Sequence, residues 1–319
     1  MSPPAPLVAI LGPTASGKSA LAIEVARRWQ GEVVCCDSTQ LYRHFDIGTS
    51  KVRGAEQRGV PHHLMDLLEP QEIFTAGDYR RRALEVLAGL RHRGRMPVLT
   101  AGTGLYLRAL VEGLADAPAR SEELRERLRG RARKRGPEYL HRLLARLDPP
   151  TAARIAPPDT AKLIRAIEVC LSAGRPLSEV LSQPRLHLEG FQTVKIGLMP
   201  PRNALYERIE RRTHAMLAAG WVDEVRSLLA RGFGPGMKPF QFIGYSELQA
   251  HLAGVVNLET AVRAIQQATR RYAKRQITWF RREGGVAWFE GFGDDAAIQE
   301  KAFSALGPRL ERPAAASGW

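Results

Sequence analysis

The sequence predicts an α/β fold, a parallel sheet flanked by helices, with an inserted all-helical domain. Short apolar runs at 7–11, 32–36 and 96–100 alternate with segments of helical periodicity, a pattern typical of a parallel sheet. From about residue 115 to about residue 186 the chain shows helical patterns only, broken by glycines and prolines. A strand pattern returns at 193–198, so we expect the first domain to resume there.

These changes of pattern also predict the domain boundaries. Residues 1–115 and 190–319 form the predicted core domain, and residues 116–189 form the predicted helical insertion. Two domains agree with a chain of 319 residues. Apolar periodicity and breaks in it predict the longer helices of the core at 19–29, 75–94, 204–219, 222–231 and 259–282.

The charge balance indicates a polyanionic partner. The chain has 47 Lys and Arg against 33 Asp and Glu, a formal net charge of +14. A general preference for arginine would give the same total, so the clustering of the cations decides. Seven arginines lie between residues 120 and 135 of the insertion. In the last long helix, seven- and four-residue spacings place four further cations on one face, namely Arg263, Arg270, Lys274 and Arg281.

Several classes of protein fit the sequence poorly. No apolar run approaches the ~18 residues that cross a bilayer, and the first residues lack a basic export segment, so we expect a cytoplasmic protein without a membrane partner. Cys35, Cys36 and Cys170 have neither disulfide nor metal-site spacing and are expected to be buried. Nothing in the sequence requires more than a monomer.

Residues 12–19 (GPTASGKS) match the phosphate-loop pattern G-x-x-x-x-G-K-[ST] between a predicted strand and a predicted helix. The glycines let successive backbone N–H groups point at phosphate oxygens, and the amino end of the helix adds positive potential. We expect Lys18 to bridge phosphates and Ser19 to bind Mg²⁺. The motif predicts a P-loop NTPase-like core that binds a polyphosphate, but it leaves the reaction open.

Of the carboxylates at the ends of predicted strands, Asp37 is the nearest to this loop. Because ligands bind at the carboxyl ends of strands in open α/β sheets, Asp37 is expected to face the same crevice. It could bind a metal, accept a proton from a nucleophile, or only cap the next turn through Ser38. An NTPase would place an acid after a later strand, but residues 101–106 (AGTGLY) contain none.

Together with further motifs, these residues resemble the tRNA dimethylallyltransferase (tRNA isopentenyltransferase) family in its bacterial form. The motifs occur in the family's order from residue 7 to about residue 290. Besides the phosphate loop they are DSTQ at 37–40 with Tyr42, DIGTSK at 46–51, PHHL at 61–64 with Asp66, FTAGDY at 74–79, GTGLY at 102–106, IGY at 243–245 and KRQITW at 274–279.

The resemblance implies transfer of a dimethylallyl group from dimethylallyl diphosphate to the exocyclic amine of the adenosine 3′ of the anticodon. Asp37 would be the general base, while Thr103 and Arg212 would hold the leaving diphosphate. A surface ion pair is the alternative role for Arg212. The phosphate loop would bind the diphosphate of the donor through Gly12, Thr14, Ala15, Ser16, Gly17, Lys18 and Ser19.

The resemblance also implies which segments contact the anticodon stem-loop of tRNA. The target base must leave its stack to reach the pocket, which Asp37 to Gln40 would line. For Trp279 a packing role is preferred over base stacking. The implied contacts are Asp37, Ser38, Thr39, Gln40, Ala161, Lys162, Leu163, Ile164, Arg165, Gln241, Phe242, Ile243, Gly244, Tyr245, Ser246, Lys274, Arg275, Gln276, Trp279 and Arg281.

Two other functions remain open on the residues alone. In a P-loop metabolite kinase, Asp37 would deprotonate a substrate hydroxyl and the arginine-rich insertion would close over ATP. The basic helix near the carboxyl end has no purpose in such an enzyme. In a nucleotide-gated RNA-binding module without transfer chemistry, Asp37 would be dispensable.

Overall fold

The computed structural model describes residues 3–310, and its centre is one six-stranded parallel sheet. The spatial order is β3-β2-β4-β1-β5-β6. The predicted fold class is confirmed, although the sequence does not predict the short strands β3 and β6. The strands are β1 (Ala5–Leu11), β2 (Gly31–Cys36), β3 (His62–His63), β4 (Met96–Ala101), β5 (Phe191–Leu198) and β6 (Val286–Phe289).

Helices account for most of the remaining regular structure among the described residues. They are α1 (Lys18–Arg28), α2 (Ala76–His92), α3 (Gly104–Val111), α4 (Glu122–Arg135), α5 (Pro137–Leu147), α6 (Pro149–Ala152), α7 (Thr160–Ala173), α8 (Leu177–Ser182), α9 (Arg202–Ala218), α10 (Trp221–Ala230), α11 (Tyr245–Leu252), α12 (Leu258–Phe280) and α13 (Ala296–Leu310). Two 3₁₀ turns lie at Gly54–Gln57 and Lys238–Gln241. No described helix is both long and apolar enough to cross a membrane. The tail 312–319, for which the sequence predicts disorder, lies outside the described residues.

Both faces of the sheet are buried, which explains why its strands read as continuous apolar runs. Leu7, Ala9 and Leu11 of β1 pack in one hydrophobic cluster. Val8 and Ile10, which point to the opposite face, pack in another. A parallel sheet covered by helices on both faces requires apolar residues at successive positions.

The register of the sheet brings three strand ends to one level. Leu11, the last residue of β1, pairs with Ala101, the last residue of β4. Cys36, the last residue of β2, pairs with the same Ala101. Since the three strands are parallel neighbours, the segments that follow them emerge side by side at the carboxyl edge of the sheet. These segments are the phosphate loop, Asp37 and Gly102-Thr103.

The chain divides into two compact units, one of which contains the residues up to Val111 and from Leu188 onward. The other is Glu112–His187. These boundaries lie within a few residues of the predicted ones, at 115/116 and 189/190. The second unit contains α4 to α8 and has its own hydrophobic core.

Three of the six arginines of α4 are paired with acids, so the predicted cluster is only partly a free cationic surface. Arg129 and Arg133 both bind Glu126, and Arg129 also binds Glu122. Arg125 forms a two-pronged ion pair with Glu168 of α7. The kinase hypothesis required these arginines to reach the phosphates of ATP, which their acidic partners disfavour.

Glu168 of α7 is a fully buried carboxylate that joins this helix to the first turn of α4. Besides Arg125 it binds the guanidinium of Arg165 at 2.7 Å and the backbone N–H of Ser121 at 2.8 Å. Burial by itself would raise the pKa of Glu168, but the hydrogen bonds from Arg125 and Arg165 outweigh it and lower the pKa to about 2.

We expect Glu168→Gln to destabilise the second unit by about 3 kcal/mol, because two buried arginine contacts lose their counter-charge. Amide hydrogen exchange of α5 and α7 in the intact protein measures the change. The stabilisation is complete above the unfolded pKa of about 4.3 and is lost as the pH falls through about 2. Glu126→Gln removes an exposed carboxylate that also binds two arginines and is expected to change little. Equal protection in the two variants would contradict the prediction.

Candidate active site

The phosphate loop connects β1 to α1 and has the geometry of an anion cradle. Gly17 has φ +83°, a left-handed conformation that side chains rarely adopt, and a Cβ there would lie 2.7 Å from the backbone nitrogen of Gly293. The Gly293 N–H donates to the carbonyl of Ser16 at 2.9 Å, which fixes the loop from behind. The Ser16 hydroxyl is buried without a hydrogen-bond partner among the described residues, as expected for a group that binds a ligand.

Lys18 begins α1 and bonds to the carbonyl of Pro13 at 2.8 Å through its ammonium group. Burial lowers the pKa of Lys18 to about 8, although the carboxylate of Asp37 opposes the shift and Arg212 adds to it. Asp37, Lys18 and Arg212 therefore lie within electrostatic reach of one another. The negative charge of a bound polyanion would compensate both cations for their lost hydration.

This depressed pKa predicts that affinity for inorganic pyrophosphate falls as the pH rises through about 8, because Lys18 then loses its charge. Isothermal titration calorimetry between pH 7 and 9.5 measures the effect. Lys18→Arg keeps a charge over this range, so its pH dependence contains only the titration of the probe and of the other groups. Identical profiles for the two proteins would contradict the assignment.

Asp37 and Thr103 meet across the ends of β2 and β4. The Thr103 hydroxyl accepts the backbone N–H of Ser38 at 3.0 Å, and the Thr103 N–H donates to Cys36 at 2.9 Å. A Cβ on Gly102 would lie 2.1 Å from Oδ2 of Asp37, so a side chain there would displace the carboxylate.

The two oxygens of Asp37 differ in their surroundings. Oδ1 accepts both the N–H and the hydroxyl of Thr39, at 2.9 and 2.8 Å. Oδ2 accepts no hydrogen bond from the described residues. The capping alternative therefore accounts for one oxygen only, and the other is free to accept a proton or a hydrogen bond from a ligand.

Arg212 reaches the phosphate loop from α9. Its Nη1 donates to the Thr14 hydroxyl at 3.2 Å, and it forms no ion pair with a carboxylate in the described part of the chain. Burial lowers its pKa to about 10, with Arg208 adding to the shift and Asp37 opposing it. Arg208 itself is neutralised by a two-pronged ion pair with Asp294. The alternative of a surface ion pair for Arg212 is therefore wrong.

Gln276 and Tyr272 of α12 also face this site. Gln276 is 6% exposed and hydrogen-bonds to the N–H of Thr14 at 2.7 Å and to the carbonyl of Gly102 at 2.8 Å. The implied contact of Gln276 with tRNA is corrected, because its amide is engaged inside the protein. Tyr272, which sequence reasoning misses, approaches Gly102 at 3.5 Å; burial and the nearby Asp37 raise its pKa.

The loop after Asp37 is held by internal bonds that use another predicted contact residue. Gln40 donates to the carbonyls of Thr49 and Ser50 and accepts from the thiol of Cys35. Its side chain therefore stabilises the loop by internal hydrogen bonds. The contact of Gln40 with tRNA that the resemblance implies is corrected accordingly. The completely buried ammonium of Lys51 further stabilises this loop, because it forms ion pairs with Asp46 and Asp66 at 2.8 and 2.6 Å.

The remaining predicted tRNA contacts separate into exposed and buried side chains. The exposed residues are Ala161, Lys162, Gln241, Ser246, Lys274, Arg275 and Arg281. Partly exposed are Ser38, Thr39, Arg165, Phe242 and Ile243. Three side chains lie in hydrophobic cores, namely Leu163, Ile164 and Tyr245, and for them the implied contact is corrected. The phenol of Tyr245 binds Glu224 at 2.7 Å. Gly244 is also buried.

Trp279 packs against the main core, with the guanidinium of Arg108 4.8 Å from its ring centroid, which favours the packing role.

The predicted basic face of α12 is smaller than its sequence implies. Arg270 binds Glu210 of α9, and Arg263 binds Glu259 one turn earlier. Lys274 and Arg281 form no ion pair within residues 3–310. The free cations therefore concentrate at the carboxyl end of α12.

The chain is similar to known proteins over nearly its whole length. The family model described as IPP transferase matches residues 40–283. A tRNA dimethylallyltransferase of Koribacter versatilis is 53% identical over 94% of this chain and 97% of its own, and one of Solibacter usitatus is 50% identical over 93% and 96%. The crystal structure of the full-length tRNA isopentenylpyrophosphate transferase of Bacillus halodurans is 37% identical, with a TM-score of 0.71 over 96% of this chain and 97% of that one.

The similarity includes the segments that build the site. The matched residues contain the end of β4, Arg212, and α12 with its inward-facing Gln276, and the relatives' coverage is too broad for the phosphate-loop motif alone to explain. The family model covers more than half of the chain, and the solved structure shares its P-loop NTPase-like sheet, so the chain belongs to the IPP transferase family.

Proposed function

We propose that this protein transfers a dimethylallyl group from dimethylallyl diphosphate to N6 of the adenosine 3′ of the anticodon in tRNA. The observation that supports the proposal most directly is the free Oδ2 of Asp37 beside an anion cradle containing Lys18 and Arg212. The names of the relatives supply the transferred dimethylallyl group and tRNA as the acceptor molecule. The site accounts for how the two would react.

The cradle binds and activates the leaving group. Cleavage of the allylic C–O bond leaves positive charge on the dimethylallyl fragment and negative charge on the diphosphate. Lys18, Arg212 and the backbone N–H groups of the loop stabilise that negative charge. Since they are fixed before the reaction, they need no reorganisation as the charge develops. Thr103 lies on the Asp37 side of the site, where its hydroxyl contacts Ser38, and we propose that this hydroxyl donates to an oxygen of the leaving diphosphate.

Asp37 acts on the acceptor amine. As N6 bonds to the allylic carbon, positive charge grows on the nitrogen and one of its protons must leave. Oδ2 accepts that proton, while Oδ1 stays bonded to Thr39 and keeps the carboxylate oriented. The base reaches the site by leaving its stack, and its entry displaces water that would otherwise capture the allylic cation.

The residues present fit a magnesium ion held mainly by the substrate. Within residues 3–310 no group of three or more His, Cys, Asp or Glu side chains is placed to bind a metal. Mg²⁺ prefers oxygen ligands and keeps several waters, so Ser19 in the first turn of α1 and the diphosphate oxygens form an adequate set. When bound, Mg²⁺ neutralises charge on the leaving diphosphate.

We assign tRNA affinity chiefly to the exposed cations at the carboxyl end of α12, with further contacts from the exposed residues of 161–165 and 241–246. We also propose that the protein is a monomer and that it acts in the cytoplasm. Because phosphate contacts release counterions, tRNA affinity is expected to fall about 10- to 100-fold between 50 and 200 mM salt. Lys274→Ala should reduce the slope of log Kd against log salt by about one. Lys301→Ala, an exposed cation of α13, should leave the slope unchanged; the same slope in all three proteins would contradict the assignment.

Incubation of the protein with unmodified tRNA and labelled dimethylallyl diphosphate tests the function. We expect label in the tRNA and one added dimethylallyl mass on a single adenosine. A parallel incubation with γ-labelled ATP tests the kinase alternative. Label that enters tRNA or a metabolite only from ATP would reject the transferase assignment.

A further inference from the structure

Gln276 lies within an exposed basic stretch of α12, yet its side chain points inward. Lys274 and Arg275 are exposed, whereas Gln276 is 6% exposed. Tyr272 lies four residues earlier and therefore on the same face of the helix. α12 thus presents free cations on one side and, one residue later, an amide to the active site on the other.

The amide of Gln276 connects the two halves of the site. Its Oε1 accepts the backbone N–H of Thr14 at 2.7 Å, and its Nε2 donates to the carbonyl of Gly102 at 2.8 Å. The two backbone groups belong to loops that follow different strands, β1 and β4. A glutamine fits this place because it supplies an acceptor and a donor on one planar group.

Each end of this bridge touches a group of the proposed chemistry. The hydroxyl of Thr14 accepts from Arg212, and the segment around Thr14 is the diphosphate cradle. Gly102 lies against Oδ2 of Asp37 and precedes Thr103. Beyond the register of the sheet, which brings the two loops to one level, the side chain of Gln276 links the leaving-group side of the site directly to the base side.

We propose that Gln276 is a positioning residue that sets the separation between the diphosphate cradle and the Asp37–Thr103 side of the site. The inference rests on the proposed prenyl transfer, because only a reaction between groups on both sides requires their separation to be fixed. A displacement of about 1 Å between reacting groups can cost about 100-fold in rate.

Gln276→Met tests this role, because methionine is similar in length but makes neither hydrogen bond. We expect kcat for tRNA prenylation to fall about 100-fold. Affinity for inorganic pyrophosphate should weaken about tenfold, since the Thr14 N–H loses its acceptor. Affinity for tRNA should stay within about twofold of wild type, because the cations of α12 are unchanged. Gln267→Met replaces an exposed glutamine of the same helix and should leave all three quantities unchanged.

Gln276→Glu provides a readout that a purely structural role would not move. A protonated glutamic acid has a donor and an acceptor where the amide had them, whereas the ionised form repels the carbonyl of Gly102. Burial near Asp37 should keep the introduced carboxyl protonated to higher pH than usual. We therefore expect the ratio of variant to wild-type kcat to rise as the pH falls from 8.5 to 6, and the Gln276→Met ratio to stay constant.

Three outcomes would overturn the proposal: a Gln276→Met enzyme within about threefold of wild-type kcat, a flat ratio for Gln276→Glu, or an equal loss in Gln267→Met. If Gln276→Met does not fold, as judged by its thermal melting, the pH ratio of Gln276→Glu decides. If the wild-type protein transfers no prenyl group, the proposed function fails separately. The pyrophosphate affinities then show whether Gln276 organises the cradle.

Discussion

Asp37→Ala is expected to lower kcat for tRNA prenylation about 1000-fold while tRNA affinity changes less than about twofold. The carboxylate contributes chiefly as bonding to N6 proceeds, because positive charge then grows on the nitrogen, whereas the neutral amine offers it a single hydrogen bond in the ground state. Tight tRNA binding comes instead from cations that contact phosphates. Single-turnover rates at saturating donor, together with filter-binding affinities, separate the two quantities.

Asp37→Asn makes the same test with less change of shape. The amide keeps an oxygen that accepts from Thr39, so the loop conformation should persist, but the group that replaces Oδ2 can no longer take a proton. We expect its rate to be close to that of Asp37→Ala. Asp116→Ala removes an exposed aspartate of the second unit and should retain full activity. An Asp37→Asn enzyme as fast as wild type would show that the proton leaves to another acceptor. Tight tRNA binding by a wild-type protein that transfers no prenyl group would favour the RNA-binding module.

The parts of the site that sequence analysis predicts are those fixed by local chain geometry. The phosphate loop follows from its spacing of glycines and its place between β1 and α1. The meeting of Asp37 with Thr103 follows from parallel strands whose carboxyl ends share an edge, which the pairing of Cys36 with Ala101 shows directly. In both cases a short segment and one general rule of topology are sufficient.

Contacts between distant segments could not be predicted from the sequence. Helix periodicity shows which residues share a helix face, but it does not show which other segment that face packs against. Gln276 stands among Lys274, Arg275 and Arg281, so a charge pattern groups it with an RNA-binding face. The structure instead bonds it to Thr14, 262 residues earlier. The missed signal is a polar residue on the apolar side of α12, in register with Tyr272 and Ala273. Such a residue requires an internal partner, but the sequence does not identify that partner.

Ion pairs between distant segments are also missing from a sequence-based prediction, and here their omission makes a surface look more cationic than it is. The arginines of α4 are numerous enough to predict an anion-binding surface, yet Glu168 of α7 and nearby acids neutralise three of the six. Whether a cation is free depends on the acid that packs beside it, which a local count of charges omits. Arg212 is the opposite case. Its place in the sequence is compatible with a surface ion pair, but in the structure α9 positions Arg212 so that it donates to the hydroxyl of Thr14. The nearby carboxylate of Asp294 pairs with Arg208 instead.

Arg212→Gln is expected to lower kcat/KM for dimethylallyl diphosphate by roughly 10²- to 10³-fold, because the cradle loses a fixed donor aimed at the developing negative charge. Burial lowers the pKa of its guanidinium to about 10, so water screens its attraction for the diphosphate less than that of an exposed cation. Part of the loss should appear as weaker binding of inorganic pyrophosphate, which resembles the product. The larger part should appear in kcat, because the charge on the leaving group is greatest after the C–O bond begins to break.

Arg211→Gln is the matched control for this variant. Arg211 is adjacent on α9 and carries the same charge, but it is exposed to solvent. If the net charge of the helix were responsible, the two variants would lose the same activity. If the contact with Thr14 and the cradle is responsible, Arg211→Gln should keep kcat/KM within about twofold of wild type. Equal losses would remove Arg212 from the reaction and leave Lys18 and the backbone of the loop as the groups that activate the diphosphate.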